Sequence, residues 1–450
     1  MPIRLSDHFS YRRLIRFTLP SIVMMIFTSI YGVVDGFFVS NFVGKTPFAA
    51  VNFIMPFLMI LGTIGFMFGT GGSALISKTM GEGDCEKANR LFSLFVYVSF
   101  ICGVIIAISG IIFIRPIAIL LGAEGQMLED SILYGRIILL AIPAFVLQME
   151  FQSFFVAAEK PQLGLITTVA SGVTNMVLDA LLVWLFPLGL VGAASATAIS
   201  QLVGAVIPVA YFLLPNDSLL RLGKTHMDVK ALLRTCANGS SELMSNISMS
   251  LVGMLYNVQL YKYAGEDGVA AYGVLMYVNL IFLAIFIGYV IGTAPVVGYH
   301  YGAQNQDELK SIRKKSLVII GVCSLGMVGL SILLALPLSK MFVGYDADLL
   351  AMTVRGFFIY SFSFLFAGIA IFGSSFFTAL NNGLVSAIIS FLRTMVFQIT
   401  AVIILPILLG GIDGIWVSIV VAELMAAVVT AIFLVALQKN ITIRKTPAIQ

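Results

Sequence analysis

The stretch Leu14–Phe42, LIRFTLPSIVMMIFTSIYGVVDGFFVSNF, decides the fold, because it is long and apolar enough to cross a membrane. A transmembrane helix needs about 20 mainly apolar residues. Asp35 lies deep inside this stretch, where no water solvates a carboxylate, and such a group is costly unless it has a partner and a purpose. Asp35 is therefore a candidate functional residue. The alternative is that it lies at the headgroup boundary and is simply solvated.

The composition of the whole chain agrees with this interpretation. Hydrophobic residues make up 59% of the sequence and charged residues 11%, whereas soluble domains carry about 25% charged residues. The net charge of +4 comes mainly from short loops between apolar segments, so it indicates membrane topology and not a nucleic-acid partner. The sequence therefore predicts an integral membrane protein with many spans.

Apolar segments of spanning length recur along the whole chain and predict an all-α protein with twelve transmembrane helices. With the N-terminus inside, most of the 26 lysines and arginines fall on the inner side, which favours both termini in the cytoplasm. The predicted spans are 14–42, 48–76, 91–114, 132–157, 162–186, 188–214, 236–262, 268–297, 316–339, 351–379, 384–409 and 411–437.

The most polar internal connection divides the chain nearly in half. We expect an N-terminal six-helix bundle over 1–215, a cytoplasmic linker over 216–235 and a C-terminal six-helix bundle over 236–450. An internal repeat supports this division, since shifts of 221 and later 222 residues align glycines of the two halves. The aligned pairs include Gly44 with Gly265, Gly71 with Gly292, Gly81 with Gly302 and Gly189 with Gly411.

The even number of helices in each copy determines how the copies are related. Two copies with six spans have the same orientation, so they are related by a pseudo-two-fold axis along the membrane normal. A cavity between them can open to either side as the bundles rock. This geometry is typical of a secondary transporter that works by alternating access.

A second set of buried polar residues lies in the same half as Asp35. Asn175 and Asp179 are four residues apart and share one face of a helix. Together with Asp35 they indicate a site for a small cation or a proton. The repeat does not preserve them: the counterparts of Asp35, Asn175 and Asp179 are Tyr256, Phe397 and Ala401.

These motifs resemble the MATE family, the multidrug and toxic compound extrusion transporters. The resemblance covers essentially the whole chain. The residues that carry it are Pro20 and Asp35, Ser77–Asp84 (SKTMGEGD), its echo Val297–Asn305 (VGYHYGAQN), Asn175–Asp179 (NMVLD) and Gly189–Thr197 (GLVGAASAT).

The resemblance implies an antiporter that exports amphipathic, often cationic organic compounds in exchange for H⁺ or Na⁺. By position, its cation or proton site falls on Asp35, Asn175, Asp179 and Thr197. Their oxygens are hard ligands that suit Na⁺, and either acid can take a proton instead. Thr197 can equally be a helix-packing hydroxyl. Pro20 is expected to permit conformational bending of the first helix, or else to be a static kink.

Other charges inside spans are candidates for the substrate cavity. Glu150, Glu242 and Glu423 can attract cationic substrates or can pair with Arg393. We expect no cofactor beyond the coupling ion, small organic molecules and the lipid bilayer as partners, no nucleic acid, and a monomer. The expected location is a prokaryotic cytoplasmic (inner) membrane.

Two other functions compete with export. A flippase for a lipid-linked precursor is the alternative, but it favours a strongly cationic cavity, whereas the N-terminal half offers acids. A membrane enzyme is disfavoured, because the chain has no H-E-x-x-H or G-x-S-x-G motif. The histidines, His8, His226 and His300, lie outside the predicted spans.

Overall fold

The computed structural model describes residues 3–436, and these residues form twelve spanning segments. The predicted number of spans is confirmed. The segments are α1 (Tyr11–Val43), α2 (Lys45–Gly81), α3 (Cys85–Leu121), α4 (Gly125–Ala157), α5 (Pro161–Leu185), α6 (Gly189–Leu213), α7 (229–264), α8 (266–302), α9 (Gln306–Val343), α10 (Ala347–Ala379), α11 (Gly383–Leu409) and α12 (Ile412–Ala436).

The helical path changes at two points in the C-terminal half: it breaks between α7 and α8, and it bends within α10. The helices α7 and α8 follow each other within Val229–Gly302, and Gly265 separates them because its backbone is non-helical, with φ 61° and ψ −147°. Glycine adopts this positive φ without the steric cost that other residues meet. The span α10 is bent by 47° between Ser361 and Phe364.

The backbone repeats in the two halves, which confirms the duplication. Left-handed or otherwise positive φ angles occur in pairs 221 or 222 residues apart, at the ends of equivalent helices. The pairs are Gly44 and Gly265, Gly83 and Gln304, Glu159 and Asn381, and Gly189 and Gly411. The two six-helix bundles therefore have the same fold and orientation, and a pseudo-two-fold axis along the membrane normal relates them.

The bundles meet closely on the side of the membrane where α6 is connected to α7, here called the linker side. A Cβ on Gly71 of α2 would collide with the backbone carbonyl of Thr235 in α7. The symmetric contact joins Gly292 of α8 to Thr18 of α1, where an added Cβ would lie 2.9 Å from the Thr18 Cβ. Because only glycine allows such approaches, these positions hold the halves together.

Further from the linker side the halves are less tightly packed. An added Cβ at Gly32 or Gly36 of α1, or at Gly253 of α7, would find no atom within 4 Å. Both helices run away from the tight contacts toward the opposite side of the membrane. The contact between the halves is thus tight on the linker side, and α1 and α7 have open space beside these glycines further along.

The segment that precedes α1 fastens the two halves on the linker side. Leu5 and Phe9 are fully buried. The Leu5 amide donates to Glu159 Oε1 of the N-terminal half at 2.6 Å. The Phe9 amide donates to Glu308 Oε1 of the C-terminal half at 2.8 Å, and Lys315 Nζ donates to the Phe9 carbonyl at 2.5 Å. These polar contacts bridge the bundles at their closed end.

The linker is shorter than the sequence suggested. The helix α7 begins at Val229 and not near 236, because the Asp228 side chain caps it by accepting from the Ala231 amide at 2.9 Å. Lys160 Nζ donates to Asp217 at 2.9 Å and ties the linker to the loop before α5. This hydrogen bond lowers the pKa of the Asp217 carboxyl below its ordinary value.

Candidate ion-coupling site

Three helices of the N-terminal half bring the predicted polar residues together. Asp35 of α1 accepts a hydrogen bond from Thr197 Oγ1 of α6 at 3.4 Å. The side chains of Asn175 and Asp179 in α5 lie beside the Asp35 carboxyl group. All four residues that the sequence singled out therefore share one site.

The site contains more acceptor oxygens than donors. Asp179 is fully buried and Asn175 is 1% exposed. Neither Asp179 oxygen, nor the Asn175 Oδ1, receives a hydrogen bond from a protein donor. Within residues 3–436 no lysine or arginine forms an ion pair with Asp35 or Asp179. These oxygens are left free to bind a cation or a proton.

Electrostatics make such a ligand necessary. Two facing carboxylates in a medium of low dielectric repel each other strongly when both are ionised. The contact between Asp35 and Asp179 is a hydrogen bond only when one of them carries a proton. A single monovalent cation or a single proton at this position removes most of the repulsion. The arrangement can therefore respond to an ion gradient.

Irregular helical turns adjoin both acids. Asp179 is the last residue before a π-helical turn at Ala180–Leu185, and Asp35 lies one turn before another at Val39–Val43. Such turns are frequent at functional sites because they change the direction of side chains within a continuous helix.

Tyr134 of α4 is a member of the site that the sequence did not reveal. It is fully buried, and its hydroxyl lies near Thr197, Asp35 and Asp179. The same hydroxyl lies 3.9 Å from the Met55 sulfur. No sequence signal separated it from the other tyrosines, because only its burial beside two acids makes it notable.

The equivalent position in the C-terminal half has no acid. Tyr256, the counterpart of Asp35, has its hydroxyl 3.1 Å from the Ser418 hydroxyl. Its ring stacks on Tyr272 with centroids 5.7 Å apart, and Tyr272 in turn stacks on Trp416 at 6.4 Å. An aromatic cluster thus fills the space that the acidic site occupies in the other half.

Arg393 and Glu423 form an ion pair inside the C-terminal half. Arg393 Nε lies 2.8 Å from Glu423 Oε2, and Arg393 Nη2 lies 3.0 Å from Oε1. Gln398 Nε2 lies 3.4 Å from the same carboxylate. The two side chains are only 15% and 6% exposed. Of the three glutamates that the sequence offered as partners of Arg393, Glu423 is therefore the one that pairs with it.

Glu242 and Glu150 occupy different environments. Glu242 of α7 is partly exposed although protein surrounds it closely, and its strongest charged neighbour is Arg393. It therefore faces a cleft. Glu150 of α4 is fully buried, accepts a hydrogen bond from Ser99 of α3, and lies against Gly69 of α2. The structure places Glu150 between helices of the N-terminal half and not on an accessible surface.

The ion pair provides a test of the fold in this region. Replacing one member leaves the other charge buried, so Arg393→Met should lower the free energy of unfolding by about 3–5 kcal/mol. The double variant Arg393→Met with Glu423→Met should lose much less, because no charge is left unpaired. Thermal unfolding of the purified proteins in one detergent measures both. Equal losses in the two variants would contradict a buried pair.

The fold and the site together define a class of protein. Two like-oriented six-helix bundles, closed at one end and holding an uncompensated acid pair in one half, form a membrane transporter and not an enzyme. The chain belongs to the MatE family, whose sequence profile matches residues 20–181 and again 243–404. The two matches fall on the two halves of the duplication.

Individual relatives agree with this assignment. The chain is 26% identical to the multidrug export protein MepA of Staphylococcus saprophyticus over 451 residues, which covers 98% of this chain and 97% of that protein. A crystal structure of MATE in complex with MaL6 matches 97% of this chain and 98% of its own, with a TM-score of 0.92 and 22% identity. An outward-facing conformation of a multidrug resistance MATE family transporter covers 97% of both chains, with a TM-score of 0.91 and 22% identity.

Proposed function

We propose that this protein is an antiporter that exports amphipathic, often cationic organic compounds in exchange for inward H⁺ or Na⁺. The relative from Staphylococcus saprophyticus is named a multidrug export protein, which supports the substrate class. The observation that carries the coupling is the pair of Asp35, which is partly exposed, and Asp179, which is fully buried; neither has a compensating positive charge in the described part of the chain. The protein acts as a monomer and needs no cofactor.

The proposed topology follows from charge and from the relatives. The protein lies in the cytoplasmic membrane of a prokaryote, with the linker side and both termini in the cytoplasm. The passage, closed on the linker side, then faces outward, as in the outward-facing transporter that shares this fold. A substrate would leave from this state, and the coupling ion would enter it.

The helix α1 connects the ion site to the closed end of the passage. It carries Asp35 near its outer part, whereas Thr18 and Ser21 near its other end contact Gly292 and Gly288 of α8. Pro20 lies between those contacts and has no amide hydrogen to donate, so one backbone hydrogen bond is already missing where the helix would bend. An ion at Asp35 that favours one shape of α1 therefore shifts the balance between closed and open linker sides.

Glu242 supplies the proposed contact to substrate. It is a partly exposed carboxylate that faces a cleft, and the negative field of such a group attracts organic cations. Arg393 lies nearby but is held by Glu423. The C-terminal half thus contributes to solute recognition, while the N-terminal half carries the ion.

Everted membrane vesicles test the coupling directly, because export becomes uptake into the vesicle. An acidic lumen and a Na⁺-loaded lumen are imposed in separate experiments. We expect one of the two gradients to drive uptake of a fluorescent organic cation, and the gradient that does so identifies the coupling ion. In the Asp179→Asn protein this response should be lost, since one of the two acids can no longer bind a proton or contribute a charge. Uptake that ignores both gradients in the unaltered protein would exclude antiport.

A further inference from the structure

The linker is fixed along the surface of α3 by three side chains on one helical face. Asn89 Oδ1 accepts from the Arg221 amide at 2.8 Å, and Ser93 Oγ accepts from the Gly223 amide at 3.0 Å. Tyr97 donates from its hydroxyl to the Gly223 carbonyl at 3.2 Å. The four-residue spacing of these side chains matches the helical repeat, so the linker follows the helix axis. These hydrogen bonds hold the backbone of the linker in a fixed position on α3.

A cavity of about 440 Å³ lies between this part of the linker and the start of α3. Its charged lining residues are Arg90, Arg221, Lys224 and Glu86, and His226 adds an imidazole. Three permanent positive charges therefore face one carboxylate. A cavity with this charge balance attracts an anion.

The positive charges are poorly compensated by the protein. Arg90 Nη1 lies 3.5 Å from Glu86 Oε1, but the Glu86 side chain is 84% exposed, so this pair is weak. The Nε of Arg90 is buried and has no acceptor. Arg221 donates from its guanidinium only to the Asn216 carbonyl, and Lys224 has no ion pair in the described part of the chain. The Arg90 side chain is 42% exposed, so the rest of its guanidinium is accessible from the cavity, and the unpaired Nε–H favours an oxygen ligand there.

The surroundings of the cavity are apolar. The apolar stretch of α3 begins at Leu91, one residue after Arg90, so the basic groups lie at the level of the lipid headgroups. Exposed apolar side chains adjoin the lining residues: Leu219, whose carbonyl accepts from Asn89, is 47% exposed, and Met227, which follows His226, is 67% exposed. A ligand here meets positive charge at one end and apolar surface at the other.

We propose that this cavity binds the phosphate headgroup of an anionic membrane phospholipid. The phosphate oxygens accept from Arg90 and Arg221 and neutralise Lys224, and the acyl chains lie against the exposed apolar side chains. The bound lipid joins α3 to the linker that connects the two halves. This site is separate from the acidic site and does not depend on the transport proposal.

Lipid retention by the purified protein tests the proposal. Native mass spectrometry is used to compare added phosphatidylglycerol with phosphatidylcholine, and inorganic phosphate is added as a competitor. The variant Arg90→Gln/Arg221→Gln/Lys224→Gln should bind phosphatidylglycerol about a hundredfold less tightly, because each basic group near a membrane surface contributes roughly a fivefold effect. Binding of phosphatidylcholine should not change.

A matched variant controls for net charge. Arg12→Gln/Lys310→Gln/Lys314→Gln removes three exposed charges on the same side of the protein and should retain full binding. Equal phosphatidylglycerol binding by both triple variants would overturn the proposal. Displacement of the lipid by millimolar inorganic phosphate would overturn it in favour of a soluble phosphate ligand. The single variant Lys224→Gln, whose side chain is exposed, should weaken phosphatidylglycerol binding about fivefold and keeps the test valid if the triple variant does not fold.

Discussion

Asp35→Asn should reduce ion-driven export about a hundredfold, to the background of vesicles that lack the transporter. Asparagine has the shape of aspartate, so the contacts of α1 and the hydrogen bond from Thr197 are retained. It cannot take a proton at neutral pH, and it removes the charge that a Na⁺ ion needs. Uptake of an organic cation into everted vesicles, driven by an ion gradient, measures the effect.

The duplicated fold supplies the control for this experiment. Tyr256→Phe alters the equivalent position of the other half and removes only the hydroxyl contact to Ser418. That variant should retain most of the export activity, because no ion binds there in the proposed mechanism. Unchanged ion-driven export by the Asp35→Asn protein would remove Asp35 from the mechanism, provided that both variants reach the membrane in equal amounts.

Cross-linking the closed end should stop transport almost completely. In Thr18→Cys/Gly292→Cys the new sulfur-bearing carbons start 2.9 Å apart, and a disulfide needs Cβ atoms about 3.5–4.5 Å apart, so a shift of less than about 1 Å suffices. Oxidation should lock the linker side shut, lowering export about a hundredfold, and a thiol reductant should restore it. Vesicle uptake before and after reduction measures both states.

Two precautions make the cross-linking result decisive. The free native cysteines should first be replaced by alanine; they are Cys85, Cys102, Cys236 and Cys323. Each single cysteine variant should be insensitive to the oxidant. A double variant that forms the disulfide yet continues to export would show that α1 and α8 do not separate during the cycle.

The sequence predicted the large features well, because they depend on local composition. Spans follow from runs of apolar residues, and the duplication follows from the glycines at tight turns and close contacts, such as Gly265 and Gly71. Asp35 and Asp179 were recognisable because a buried acid is rare in a span. Apolar runs and acids within spans can be recognised in a single segment, and the duplication can be recognised from two segments at a constant shift along the chain.

Features that depend on contacts between distant segments were not predictable. Tyr134 belongs to the acidic site only because α4 packs beside α6. The sequence around Phe9 is polar and shows no motif of its own. Its role as a bridge depends on Glu308, which is about 300 residues away along the chain. The pairing of Arg393 with Glu423 was one of several possible pairings until α11 and α12 were seen together.

In the proposed mechanism, the presence of the acid pair in one half only limits the energy available in each cycle. If one monovalent ion crosses per solute, a membrane voltage of 100 mV supplies about 2.3 kcal/mol, enough for a roughly fiftyfold concentration ratio of a neutral solute. A singly charged organic cation exchanged one for one moves no net charge. Its export then draws nothing from the voltage and depends only on the concentration difference of the ion.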